Sequence, residues 1–258
     1  MKSGCSARGF WDHKKGGGPM CRFDRRGFLE LIILLGAFSV RWINPFKAIS
    51  VASTKKEVAM ILPNPNYKGS LSVEEAIKSR RTVRVFSSKL LKKEALSQLL
   101  YGAQGITEDH GFKRAAASGG ALFPLDLYAV TGDKGVEGMD PGVYHYIPAS
   151  HQVERVTEGD RRKKLARASL TQMWMADPPL NLVITAEYSR ICSKYGERGI
   201  RYAMIEAGHA GQNIFLQAEA LGLKAGIVGA FNDEEVINVL GIPESHEPLL
   251  IMPVGYGS

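Results

Sequence analysis

Apolar residues recur along this chain in two periods, and their order outlines a fold. Over residues 92–105 the stripe Ala95, Leu96, Leu99, Leu100 and Ala103 returns every three or four positions, which predicts an amphipathic helix. A shorter helix is predicted to start at Ser72, where Glu75 three residues on completes a capping box, and to end near Arg81. Residues 199–221 carry the longest helical pattern. Residues 161–169 read as a basic helix, and 233–240 as a helix closed by Gly241. Between these lie short runs of strand type: 125–130 after Pro124, 182–186, 226–228 and 249–256. Residues 142–147 and 152–156 alternate and predict a hairpin that turns at Pro148-Ala149-Ser150-His151. Helices and strands mix without a repeat, so the body is α+β.

The pattern differs before residue 71. Residues 1–53 form a leader, 54–70 a polar linker containing Pro63-Asn64-Pro65-Asn66, and 71–258 the folded body. Within the leader, Asp24-Arg25-Arg26-Gly27-Phe28-Leu29 precedes an apolar run over 31–40. That run is short of the roughly 20 apolar residues a membrane-spanning helix needs. Its basic flank and paired arginines resemble a twin-arginine export signal, with Asp24 where Ser or Thr is usual and small-residue cleavage candidates at 48–50 and 51–53. Export through that route is the expectation, with an uncleaved anchor or a start at Met20, and a cytoplasmic protein, as the other readings. Charge follows the same division. Of the formal +7, residues 1–56 hold eleven basic and three acidic groups, a net of +8, and the remainder 22 and 23, a net of −1. A neutral body removes the electrostatic case for nucleic-acid binding. Cys5 and Cys21 fall in the leader, which leaves Cys192 alone in the body, and no Cys or His spacing points to a metal.

Four stretches of the body carry candidate chemistry. Arg80, Arg81, Thr82 and Arg84 place three guanidiniums and a hydroxyl within five residues. In an extended segment Arg80, Thr82 and Arg84 share a side, and forked guanidinium donors match a phosphate. A solvated basic helix end is the plainer alternative. Ser118, Gly119 and Gly120 open a loop whose backbone N–H groups can approach a ligand, without the spacing of a Rossmann or Walker motif. Taken alone such a loop is more often a flexible connection than a site. Lys194 and Tyr195 pair a movable cation with a phenolic donor, suited to steering a proton or simply to a surface loop. The long helix carries Glu206, His209, Gln212 and Asn213 beside the small stripe Ala203, Ala207 and Gly211, fit for a close-packed partner or flat ligand, or for a buried helix with a satisfied core histidine. Gly226, Val228 and Gly229 belong to a short buried strand whose backbone could read the edge of a heteroaromatic ring.

Taken in order, Arg-Arg-Thr-Val-Arg-Val-Phe at 80–86, Ser-Gly-Gly-Ala-Leu-Phe-Pro-Leu-Asp-Leu-Tyr at 118–128, Lys-Tyr-Gly-Glu-Arg at 194–198, Glu-Ala-Gly-His-Ala-Gly-Gln-Asn at 206–213 and Gly-Ile-Val-Gly-Ala-Phe at 226–231 resemble the nitroreductase-like flavoproteins. Within that family the likeness is to SagB-type (SagB/ThcOx) dehydrogenases, over about residues 70–256. The resemblance implies a sandwich with a central mixed sheet flanked by helices, a homodimer with FMN at its interface, and hydride exchange through flavin N5 in a ping-pong cycle. NAD(P)H is a candidate electron donor, and the substrate a small molecule or a peptide. By position, Arg80, Arg81, Thr82 and Arg84 resemble the arm that holds the FMN phosphate and ribityl chain. Ser118, Gly119 and Gly120 match the loop along the isoalloxazine, Gln212 the flavin-proximal helix, and Gly226, Val228 and Gly229 the strand at the ring's polar edge. Lys194 and Tyr195 match a pair implicated in azoline oxidation. Many relatives add a basic phosphate ligand near the C-terminus where this chain reads Tyr256-Gly257-Ser258, so the arginines are expected to hold the phosphate largely alone. Two other functions fit the same fold: a peptide azoline dehydrogenase, and a flavin-binding carrier or sensor without turnover.

Overall fold

The computed structural model describes residues 59–108 and 110–258. The expected leader with its twin-arginine-like segment, and residues 54–58 of the expected linker, lie outside them.

Seven strands form one sheet: β1 (Ala59–Ile61), β2 (Leu125–Thr131), β3 (Gly142–Ile147), β4 (Gln152–Glu158), β5 (Leu180–Ala186), β6 (Lys224–Ala225) and β7 (Glu247–Gly255), in the order β1-β4-β3-β2-β5-β7-β6. Every ladder is antiparallel. Among the described residues, parallel pairing is confined to the isolated bridges Thr82–Ala225 and Leu91–Val136, so the sheet itself is antiparallel where a mixed one was expected.

The central strands β2 and β5 are largely apolar because helices cover both faces. Leu125, Leu127, Ala129, Leu182, Ile184 and Met252 join a core with α2 (Lys93–Gln104) and α5 (Arg198–Ala220). Tyr128, Val130, Val183 and Ile251 point the other way, into a second core with α3 (Arg162–Ala168) and α6 (Asp233–Leu240). β5 is therefore buried at every residue. Each large aliphatic side chain so enclosed contributes about 1.5–3 kcal/mol relative to exposure.

Local signals account for the helix ends. α1 (Val73–Ser79) starts with both capping-box bonds, Glu75 N–H to Ser72 Oγ at 3.1 Å and Ser72 N–H to Glu75 Oε2 at 3.0 Å. It stops two residues before the expected end, because Arg80 turns to φ −51°, ψ 124° and the chain continues extended. α6 is capped by Asn232 and closed by Gly241 in the left-handed region. Three features depart from expectation. β1 lies within the expected linker and pairs with β4. The short strand expected at 226–228 is β6, at Lys224–Ala225. A further helix, α4 (Tyr188–Tyr195), stands ahead of α5. Among the described residues no helix is long and apolar enough to cross a membrane.

Candidate functional site

On leaving α1 the chain lies along β6. Thr82 bridges Ala225, and the Val83 N–H donates to the Ala225 carbonyl at 3.0 Å. Only glycine fits at 226, since a Cβ there would stand 2.8 Å from the Val83 carbonyl oxygen and 3.0 Å from the Trp174 ring. With its backbone pinned, this arm presents its side chains outward: Arg81, Thr82 and Arg84 are exposed and Arg80 half-buried. The Arg80 guanidinium sits 5.0 Å from the Phe215 ring on α5, and that of Arg84 sits 5.8 Å from Trp174. Both guanidiniums lie within cation–π reach of an aromatic ring. Arg81 is engaged differently: its Nη1 donates to the carbonyls of Lys78 and Arg80, both at 2.8 Å, closing the end of α1. Among the described residues none of the three is ion-paired with a carboxylate.

The second group gathers around the turn Ser118–Phe123. Gly120, Ala121 and Phe123 have φ of 65°, 55° and 46°. For a side-chain-bearing residue this region costs about 1–2 kcal/mol, so the surroundings must hold the turn. The Phe123 N–H donates to Ser118 Oγ at 3.0 Å, and the Arg114 guanidinium lies 4.1 Å over the Phe123 ring. One face of α5 runs along the segment leading into it. Asn213 Nδ2 donates to the carbonyls of Gly102 and Ala115 (3.0 and 3.1 Å), and His209 Nδ1 is 3.2 Å from the Ala117 carbonyl. Tyr202 packs beside Gly119.

Lys194 and Tyr195 reach this turn from the last turn of α4. A Cβ on Gly120 would lie 2.6 Å from the Tyr195 hydroxyl and 3.2 Å from Lys194 Nζ, so both head groups converge at the one residue that leaves them room. The Tyr195 ring is held edge-on by Tyr202, with centroids 5.1 Å apart.

Beneath the turn lies a buried polar chain. Glu206, 1% exposed, accepts from Gln104 Nε2 at 3.2 Å, and Gln104 Oε1 accepts from Arg114 Nη1 at 3.1 Å. Among the described residues Glu206 Oε2 and Arg114 Nε have no hydrogen-bond partner. Burial raises the pKa of Glu206, against the pull of the Ser118 and Gln104 side chains and the Arg114 charge. Burial also lowers that of Arg114. The sequence pointed to Glu206 by its place in a small-residue stripe. Gln104 and Arg114 carried no such signal.

The remaining predicted residues are placed less centrally. Val228 exchanges both backbone bonds with Ile251 (2.8 and 2.9 Å), and the Gly226 N–H is taken by the Pro253 carbonyl. Gly229 is exposed, with nothing within 4 Å of where its Cβ would stand. Gln212 is exposed on α5 and, among the described residues, hydrogen-bonds to neither group. α5 is what the two groups share, with the arm at Phe215 and the glycine turn between Tyr202 and Asn213.

A separate cluster went unnoticed in the sequence. Asp126 meets His145 Nε2 at 2.9 Å and Arg190 Nη1 at 2.8 Å, and Arg190 also pairs with Glu187 at 2.7 Å. Asp126, Glu187 and His246 bring ligand-type atoms within 4.8 Å of one another. The guanidinium already neutralises both carboxylates, and the only sequence signal was the i, i+3 spacing of Glu187 and Arg190.

An antiparallel sheet is thus covered on both faces, and the arginine arm and the glycine turn share its longest helix. The chain belongs to the nitroreductase family, whose model matches residues 77–256. It is 42% identical over 185 residues to MJ1384 of Methanocaldococcus jannaschii, a protein named as a nitroreductase, covering 72% of this chain and 91% of that one. It is 26% identical over 166 residues to the microcin B17-processing protein McbC of Escherichia coli, covering 62% of this chain and 60% of McbC. Among solved structures, a nitroreductase crystal structure from Ralstonia eutropha superposes with a TM-score of 0.67 at 25% identity, over 78% of this chain and 90% of that one.

Proposed function

We propose that this oxidoreductase depends on FMN and acts as a homodimer, exchanging hydride in two separate half-reactions. The observation that carries this reading is that one helix runs past both the arginine arm, whose guanidiniums have no carboxylate partner among the described residues, and a glycine turn on which a cation and a phenol converge. The donor set fits the group. Arg80 and Arg84 offer forked N–H edges to a phosphate dianion, and Thr82 adds a neutral hydroxyl. The turn at Ser118, Gly119 and Gly120 and the open backbone at Gly229 suit a flat ring that side chains would block.

FMN, when bound, supplies the redox chemistry by taking up and releasing hydride at N5. The chain's own residues bind and steer. Lys194 Nζ, exposed on a flexible stem, places positive charge where a reduced product gathers negative charge. The Tyr195 hydroxyl, set by Tyr202, can hold or deliver a proton beside it. NAD(P)H is the donor that nitroreductase membership favours. If the leader directs export, a membrane or secreted redox partner would replace it.

A second reading is supported by one specific observation, the convergence of Lys194 and Tyr195 on Gly120, together with the likeness to a protein named for processing a peptide. In it the same pair would take a proton from a peptide heterocycle as hydride leaves.

The test is the visible absorption spectrum of the purified chain, before and after dithionite and, separately, NADPH. Flavin bands that bleach with NADPH support the first reading. Bleaching with dithionite alone keeps the flavin and shifts the case to the peptide substrate, another donor, or a carrier. A colourless protein that takes up no added FMN overturns the proposal.

A further inference from the structure

We propose that Glu206 is a positioning residue for the glycine turn: through Gln104 its carboxylate holds the Arg114 guanidinium against Phe123, and this keeps Gly120 beneath the Lys194 and Tyr195 head groups. The path is continuous. It runs from Glu206 Oε1 to Gln104 Nε2 at 3.2 Å, from Gln104 Oε1 to Arg114 Nη1 at 3.1 Å, from the guanidinium to the Phe123 ring at 4.1 Å, and from the Phe123 N–H to Ser118 Oγ at 3.0 Å. Gly120 lies inside the loop that the last bond closes.

Three features make this more than core filling. The first is the backbone of the turn, with Ala121 and Phe123 in the left-handed region, a conformation that persists only when its neighbours impose it. The second is charge. An amide relays between a buried carboxylate and a half-buried guanidinium, so neutralising either one strands the other in a poorly solvated place. The third is incomplete satisfaction: among the described residues neither Glu206 Oε2 nor Arg114 Nε has a direct hydrogen-bond partner.

Groups facing Glu206 come from each element packed on it. They are Gln104 of α2, Arg114 and Ser118 of the loop, and His209 of α5 itself. Arg114 in turn faces Asp126, Arg190 and Tyr146. Burial makes the Glu206 carboxylate easier to protonate than an exposed one, so mild acid should loosen the turn before it affects the helix.

Hydrogen exchange on the full chain reads this directly and requires no flavin, so its outcome is independent of whether the proposed cofactor is correct. Glu206→Gln keeps shape and an acceptor but loses the charge. Protection factors for the amides of 115–123 should fall by about tenfold or more in this variant, while those of α5 stay unchanged. In the wild type the same amides should lose more protection than those of α5 when the pH is lowered from neutral to mildly acidic, and E206Q should abolish that difference. Unchanged protection over 115–123 at both pH values overturns the proposal, and so does a loss spread equally along α5. If E206Q does not fold, Arg114→Ala, at the partly exposed end of the path, carries the test: it must lower protection over 115–123, and no change there is equally fatal.

Discussion

Arg80 and Arg84 differ from Arg81 in what occupies their guanidiniums, and this turns a block of like charge into separable parts. Arg81 is committed to the carbonyls that end α1, whereas the other two lie over the Phe215 and Trp174 rings and, among the described residues, pair with no carboxylate. Arg80→Ala and Arg84→Ala should each weaken FMN retention by about 1.5–3 kcal/mol, the worth of a charge-assisted bond. Arg81→Ala should act mainly on stability. Flavin titration of the three variants tells them apart, and equal losses in all three would argue against the division. Lys194→Ala should leave FMN bound and lower turnover, because the ammonium reaches the turn from an exposed position. Loss of flavin in this variant would make the lysine a binding residue instead. The types and spacing of these residues were readable in the sequence. Which arginine is spent on the backbone was not, since that depends on where α1 stops.

Among the elements, α5 was the most legible and α4 the least. α5 has 23 residues with a continuous face, whereas α4 buries only Tyr188 and Ile191, too few to show a period. Lys194 and Tyr195 were thus expected in a segment with no assigned structure, and it is a helix that delivers them to the turn. α5 does more than fill the core, because Asn213 ties it to both α2 and the glycine segment through two backbone carbonyls. Asn213→Ala leaves those carbonyls without their side-chain donor and should cost about 1–3 kcal/mol. A urea midpoint that does not move would show that solvent replaces the amide.

Across the whole molecule, stability should depend on two histidines held neutral. His151 bridges Ser97 and Tyr146, and His246 meets the Tyr128 hydroxyl at 2.7 Å. Burial, the main cause, lowers both pKa values. Since the unfolded chain binds protons near the ordinary value of about 6.5, their contribution is complete above that pH and is lost as pH falls toward the folded values. Urea midpoints measured from about pH 7.5 down to 5.5 should decline, and a flat series would contradict this. Neither histidine showed itself in the sequence, because partners such as Ser97 and Tyr128 lie 54 and 118 residues away. Sheet order was hidden for the same reason. The hairpin β3–β4 is local and was foreseen, whereas β1 and β6 are too short to have a pattern and exist only by pairing with β4 and β7.

That pairing gives the chain a timetable. β7 lies between β5 and β6, yet it is the last of the seven strands in chain order. Until residue 255 has left the ribosome, β5 has one bare edge and β6 has no ladder to join, so Thr82 and Val83 have no seat. At roughly 5–20 residues per second, the 69 residues between the end of β5 and the end of β7 take about 3–14 s to make, and over that time β5 keeps its bare edge. The arginine arm and the glycine turn are made early, but the arm can dock only when the final strand arrives.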